Sequence, residues 1–123
     1  MMKHLLFLHG PNGVGKSTAC ALLHRRLPRS AWLESGWCRT INPFDFTPEI
    51  EALTERNVML LLRGYLECST VDCVIFYWGL HGPRQRIWDR VLPGLRDVPF
   101  HLLPITLTCC EAKHIRRMTQ NGR

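Results

Sequence analysis

The strongest constraint on this chain is one stretch near its start, Gly10-Pro11-Asn12-Gly13-Val14-Gly15-Lys16-Ser17. It satisfies the Walker A pattern G-x-x-x-x-G-K-[ST] at every fixed position. Leu5 to Leu8 precede it as a short buried strand would, and an apolar-periodic run from Ala19 to Leu27 follows it as a helix would. That order is the context the motif needs. Glycines let the backbone wrap so that N–H groups converge on phosphate oxygens, and the positive end of the following helix faces the same anion. Lys16 supplies a point charge for the β- and γ-phosphates, and the Ser17 hydroxyl a ligand for Mg²⁺. The fixed positions coincide by chance in roughly one chain of this length in several hundred. A nucleoside triphosphate is therefore expected along Gly10 to Thr18.

The 123 residues suffice for one domain with a single core. Net charge is +6, from sixteen Lys and Arg against ten Asp and Glu, and it suits an anionic ligand. The arginines are scattered rather than gathered in one run, which argues for nucleotides and against nucleic acid as the partner. Six cysteines form no C-x-x-C pair and no zinc spacing, and several fall on apolar faces as small hydrophobes would. The apolar start is cut short by His9 and the glycine loop, so no secretory signal is read there. No run approaches membrane-spanning length. A reduced, cytoplasmic setting is the expectation.

After the first helix, Pro28 closes the segment and Ser30 to Glu34 reads as a second short strand. A loop from Trp37 through Phe46 follows, carrying Arg39 and Asn42. Thr47-Pro48-Glu49 has the marks of a helix start: a hydroxyl cap, proline at the first helical position and an acid in the first turn. The helix is expected to reach about Cys68, with Ile50, Leu53, Leu60, Leu61, Gly64, Tyr65 and Cys68 on one face. Asp72 to Trp78 is continuously apolar and β-rich, as a strand buried on both faces should be. Gly79 to Gly82 forms a loop, Pro83 opens a helix that Pro93-Gly94 ends, and Phe100 to Thr108 reads as a strand despite Pro104. Glu111 to Thr119 reads as a last helix. Strands alternating with helices imply βαβ units, a parallel sheet and helices on both faces.

Ligands of such sheets bind at the carboxyl ends of the strands. The rule selects the Walker A loop, Glu34 to Phe46, Gly79 to Gly82 and Cys109 to Glu111. Glu34, ending the second strand, is placed to take an acceptor's proton or to hold the metal, or is a surface acid. The strand ending at Trp78 carries no acid of the Walker B kind, so Mg²⁺ would rest on Ser17, water and Glu34. Arg116 and Arg117 either close over a transferring phosphoryl group or make a basic helix end. His81 contacts substrate or is an exposed loop histidine. Trp37, Phe44 and Trp78 stack on a planar substrate or serve as packing.

With these residues in view, the Walker A loop, the acid ending the second strand, Trp78-Gly79-x-His81 and the late Thr108-Cys109-x-Glu111…Arg116-Arg117 segment resemble the small P-loop kinases. These are the nucleoside-monophosphate-kinase-like group with shikimate kinase, gluconate kinase and chloramphenicol phosphotransferase. Trp37-Cys38, Asn42-Pro43-Phe44 and Trp78…His81 are also similar to bacterial "nucleotide kinase" or "AAA family ATPase" proteins. The resemblance implies a P-loop NTPase three-layer α/β sandwich with strand order 2-3-1-4-5. It implies ATP with Mg²⁺, phosphate binding by Gly10 through Ser17, acceptor activation by Glu34 where the group more commonly has Asp, and lid roles for Arg116 or Arg117.

Those kinases continue past the lid into a fifth strand and a last helix, whereas residues 1–123 form a single domain that stops where the lid would begin. A sheet of order 2-3-1-4 is thus expected, with the Phe100–Thr108 strand as an edge covered by a second copy of the chain or by a natural continuation. The leading expectation is an ATP-dependent kinase for a small-molecule or nucleotide acceptor, held by Trp37, Arg39, Asn42, Trp78 and His81. A regulatory ATPase or incomplete kinase without turnover is the alternative, and a polynucleotide kinase a third.

Overall fold

The computed structural model describes residues 2–10 and 15–107. Four strands, β1 (Lys3–His9), β2 (Ser30–Glu34), β3 (Cys73–Tyr77) and β4 (Phe100–Thr106), form one parallel sheet in the order β2-β3-β1-β4. Three helices are described: α1 (Lys16–Arg26), α2 (Pro48–Glu67) and α3 (Pro83–Gly94). This is the expected three-layer arrangement. The helix read over Glu111 to Thr119 lies outside the described residues.

Because a strand sends successive side chains to opposite faces, the central strands can be apolar throughout only if both faces are covered. Leu5 and Phe7 of β1, Leu33 of β2 and Val74 and Phe76 of β3 join α2 and α3 in the main core, with Ile87, Trp88 and Val91 contributed by α3. Leu8 and Ile75 point the other way and meet Cys20 of α1, with Leu23, Leu27 and Trp32 packed around them. The Phe7 and Trp88 rings stack at 4.1 Å between centroids, which fixes α3 across β1. Each fully buried Leu or Phe contributes about 1.5–3 kcal/mol, so the larger cluster dominates the stability of the fold.

α2 begins as its sequence predicts. The Thr47 hydroxyl accepts a hydrogen bond from the Ile50 N–H at 3.1 Å, and Pro48 occupies the first turn. Its buried row differs from the expected one. Thr54, Val58, Leu62 and Leu66 face the sheet, while Leu60 is 67% exposed and Gly64 is also outside. Leu60, Leu61 and Leu62 are consecutive, so the helix has apolar side chains on more than one face and its periodicity does not choose between them. Contact with β3 and α3 makes that choice. A second correction falls in the segment expected to be loop: Ser35–Cys38 forms a 3₁₀ turn, with Cys38 buried in the main core.

α2 and α3 are joined by an ion-pair bracket near the α2 start. Arg86 Nη2 donates to Glu51 Oε1 at 2.8 Å, Arg90 Nη2 to Glu51 Oε2 at 2.8 Å, and Arg90 Nε to Glu55 Oε1 at 2.5 Å. The Glu51 side chain is only 15% exposed. Hydrogen bonds from Arg86 and then Arg90, against a smaller desolvation cost, bring its carboxyl down to about 2 from the ordinary 4.5. A carboxyl depressed by folding stabilises only while it is ionised, so the contribution is complete above about pH 4.5 and lost as pH falls towards 2. Glu51→Gln should lower the melting temperature at pH 7. The gap between variant and wild type should close between pH 4.5 and 2, as followed by circular dichroism.

Candidate functional site

The strand ends gather on one edge because the registers align. Leu8 of β1 and Glu34 of β2 both pair with Tyr77 of β3, and His9 of β1 pairs with Thr106 of β4. Beyond this edge the chain leaves β1 at Gly10 and re-enters regular structure at Gly15, whose φ of 78° and ψ of 35° lie in the left-handed region that glycine adopts without steric cost. Lys16 is the first residue of α1, and the Gly15 carbonyl accepts from Ala19 N–H at 3.0 Å, closing the first turn. Pro11 to Val14 lie outside the described residues, as do Arg116 and Arg117.

Lys16 is 8% exposed. Its ammonium lies 4.3 Å from the centre of the Tyr77 ring and donates to the Gly10 carbonyl at 3.4 Å. Tyr77 thus occupies the end of β3, beside the place where a Walker B acid was sought. Burial, and then the charge of Arg84, push the Lys16 ammonium below its ordinary pKa. Burial likewise raises the Tyr77 phenol. On the outer side, Ser17 Oγ donates to Glu34 Oε1 at 2.6 Å. This hydroxyl–carboxylate pair, with water and phosphate oxygens, fits the hard oxygen ligation of Mg²⁺. Among the described residues no three His, Cys, Asp or Glu side chains converge as a metal cluster.

A cavity of about 320 Å³ opens beside Lys16, lined by Ser35, Arg39, Tyr77, Gly79, His81 and Arg84. Three of these residues are cationic, and none of the lining residues among those described carries a carboxylate. Arg39 lies over the Phe44 ring at 5.1 Å and Arg84 over the Phe46 ring at 5.8 Å, and the two rings meet edge-on at 4.8 Å. The two guanidiniums therefore rest on one aromatic pair. Their Nε atoms are both buried and find no hydrogen-bond partner among the described residues. Burial, then the charge of Arg84, lower the Arg39 pKa, against smaller opposing effects of Cys38 and Tyr77. His81 Nε2 stands 2.7 Å from Arg84 Nη1 and, as the acceptor, holds that guanidinium in place.

The expected site residues divide accordingly. Lys16, Arg39 and His81 meet in the cavity, and Ser17 and Glu34 pair beside it. Thr18 is exposed on α1, and Asn42 is exposed in its loop, away from the cavity walls. Trp37 is 55% exposed and tilts against Trp32 at 5.4 Å, also outside the cavity. Trp78 is a correction. It is fully buried, stacks on Phe76 and donates through Nε1 to the Arg84 carbonyl at 2.9 Å, so its ring has no face free for a substrate. Its work is to anchor the start of α3. Arg84 was missed because the strand-end loop was closed at Gly82, two residues short of it. Tyr77 was read only as strand.

With this geometry in place, comparison with protein families matches residues 6–123 to the AAA_18 model, an AAA domain. The chain belongs to the AAA_18 family. No curated protein matches its sequence. Among solved structures, the AAA_18 chain is similar to the crystal structure of APE1195, at 18% identity and a TM-score of 0.57, over 98% of this chain and 71% of that one. It is similar to the Pnkp1/Rnl/Hen1 RNA repair complex at 17% identity and a TM-score of 0.57, over 99% of this chain and 40% of the other. A second Pnkp1/Rnl/Hen1 structure matches at 17% and 0.55, over 86% of this chain and 35% of that one. The chain thus spans well under half the length of these last two. Likeness at such identities carries the fold, and family and fold together make this AAA_18 chain a small P-loop kinase-like protein. No described helix is long and apolar enough to cross a membrane.

The AAA_18 loop is also pinned at its base. Leu107 N–H donates to the His9 carbonyl at 2.8 Å, and a Cβ added at Gly10 would stand 2.4 Å from the Leu107 carbonyl oxygen. Backbone opposes backbone there, so neither side can yield cheaply. At Gly94 an added Cβ would meet the flexible end of the Met59 side chain, Cε at 2.3 Å and Sδ at 3.6 Å. Gly10→Ala should therefore cost about 1–3 kcal/mol in urea denaturation, and Gly94→Ala well under half of that.

Proposed function

We propose that the chain binds a Mg²⁺–ATP complex along Gly10 to Thr18 and transfers the γ-phosphoryl group to an acceptor in the adjoining cavity. The observation that carries this reading is the buried Lys16 ammonium, which lines a cavity at the strand ends together with Arg39 and Arg84. Proteins of the P-loop kinase-like family generally use ATP and Mg²⁺, and catalysis of phosphoryl transfer is mostly positioning and charge stabilisation. Lys16 would bind the β- and γ-phosphates and keep its charge on the transferring group. Ser17 and Glu34 would hold the metal, whose chemistry there is to neutralise charge developing on that group. Arg39, Arg84 and His81 would orient the acceptor. Arg116 and Arg117 are proposed to close over the phosphates from the chain's last segment.

A nucleotide-binding protein without turnover is the second reading, favoured by the absence of an acid at the end of β3. Two variants separate the readings. Lys16→Ala should weaken ATP binding about 10- to 100-fold by calorimetry, the loss of a charge-assisted contact of about 1.5–3 kcal/mol. Its circular dichroism should not change, because the ammonium faces the cavity rather than the apolar core. Unchanged ATP affinity would remove the basis of both readings. Glu34→Gln should leave ATP binding without metal intact and slow phosphoryl transfer more than tenfold, over about 1.4 kcal/mol in the barrier. Turnover within twofold of wild type would make Glu34 a bystander.

A further inference from the structure

We propose that His4 and His101 form a binding site for one divalent transition-metal ion of the class that imidazole ligates, Zn²⁺, Ni²⁺ or Cu²⁺. The juxtaposition that carries this is a pair of exposed imidazoles on adjacent strands, at one register level and on one face of the sheet. The site lies at the amino ends of the strands, away from Lys16 and the phosphate loop, and does not depend on the reading above.

Register sets the pair. His4 of β1 stands opposite His101 of β4, two levels before Leu6 stands opposite Leu103. Successive side chains alternate between faces, so His4 shares a face with Leu6, and His101 with Leu103 and Ile105. Leu6 and Ile105 pack with Leu8, Cys20 and Ile75, which marks that face as the α1 side. Lys3 belongs to the other face, where its ammonium donates to the Cys68 and Val71 carbonyls at the end of α2. Its charge is therefore not set beside the imidazoles. Asp72, next along from the β3 partner of His4, is already paired with Arg29.

The spacing fits a shared ion. An imidazole nitrogen about 2.0–2.1 Å from Zn²⁺ puts its ring centre about 3.2 Å away, so two rings at tetrahedral to trigonal angles stand about 5.2–5.5 Å apart. The His4 and His101 ring centres are 5.5 Å apart with a 30° tilt, neither a face-on stack nor an edge-on contact. Their nitrogens are also available. Among the described residues neither ring makes a hydrogen bond, whereas His9 meets Thr106, His24 meets Ser30 and His81 meets Arg84.

Both strands are hydrogen-bonded before any ion arrives, so little chain ordering is left to oppose binding. Two imidazoles fill two coordination positions and water completes the sphere. Cys73 stands in the same row as the pair but does not converge with it into a three-ligand cluster. Mg²⁺ prefers oxygen ligands, so the ion that Ser17 and Glu34 are proposed to hold does not compete here. A bound ion would cross-link β1 to β4, at the opposite end of their ladder from the Leu107 N–H bond to the His9 carbonyl.

The test uses the whole chain, with Ni²⁺ for calorimetry, since thiolates favour Zn²⁺ more than Ni²⁺, and diamagnetic Zn²⁺ for NMR of the histidine rings. We expect Ni²⁺ to bind, and His4→Gln and His101→Gln each to weaken it about tenfold or more, because either leaves a single imidazole. Zn²⁺ should shift the ring signals of both residues, assigned from the two variants, and Mg²⁺ should shift neither. Saturating Ni²⁺ should raise the melting temperature of wild type by about 2–5 °C and that of neither variant. Both side chains are exposed, so the circular dichroism of the variants should match wild type. If a variant fails to fold, the wild-type ring signals decide. A wild-type chain that does not bind Ni²⁺, binding that both variants retain, or ring signals of His4 and His101 that Zn²⁺ leaves unmoved would overturn the inference.

Discussion

β1 is hydrogen-bonded on both sides, to β3 and to β4, and the rest of the molecule depends on that double pairing. A strand in that position must be apolar on both faces, which places α1 on one side of the sheet and α2 with α3 on the other. It also sets where the strands end. His9, Glu34, Tyr77 and Thr106 fall on one edge, so the loop leaving β1 emerges among the loops leaving its neighbours. The Leu107 N–H bond to the His9 carbonyl continues the β4 pairing past the strand and holds the loop at its base.

On that edge the protein keeps like charges together at a cost to its own stability. Lys16, Arg39 and Arg84 share one cavity with no carboxylate on its walls among the described residues, and the pKa values of Lys16 and Arg39 are lowered by burial and then by Arg84. Aromatic rings under the guanidiniums offset part of the repulsion. The remainder is what a bound anion would relieve. Four other arginines are held in ion pairs: Arg29 with Asp72, Arg63 with Asp97, and Arg86 and Arg90 with Glu51.

The bracket between α2 and α3 links these two sets. Glu51 lies in the first turn of α2, just after the loop that carries Arg39, Phe44 and Phe46, and Arg86 lies two residues after Arg84. Trp78 adds a second tie, since its indole donates to the Arg84 carbonyl from inside the core. The two walls of the cavity are thereby tied to each other.

Local chemistry was enough for much of this. The glycines, Lys16 and Ser17 declare a phosphate loop because that loop is made by consecutive residues. Strand limits such as Ser30–Glu34 and the Thr47 cap follow from propensity and short-range hydrogen bonds. The parallel three-layer class follows from alternating strands and helices, and the strand order from the resemblance those residues carry. Whatever depends on residues far apart in the chain was not legible. The inner face of α2 could not be chosen while Leu60, Leu61 and Leu62 stood side by side, and Trp78 could be core or ligand platform until the cluster around Phe76 formed. The meeting of Arg39 with Arg84, forty-five positions apart in the chain, is likewise a product of register and helix packing. Sequence specified where a phosphate would sit; only the tertiary structure, by bringing distant cations against one aromatic pair, decided what lies beside it.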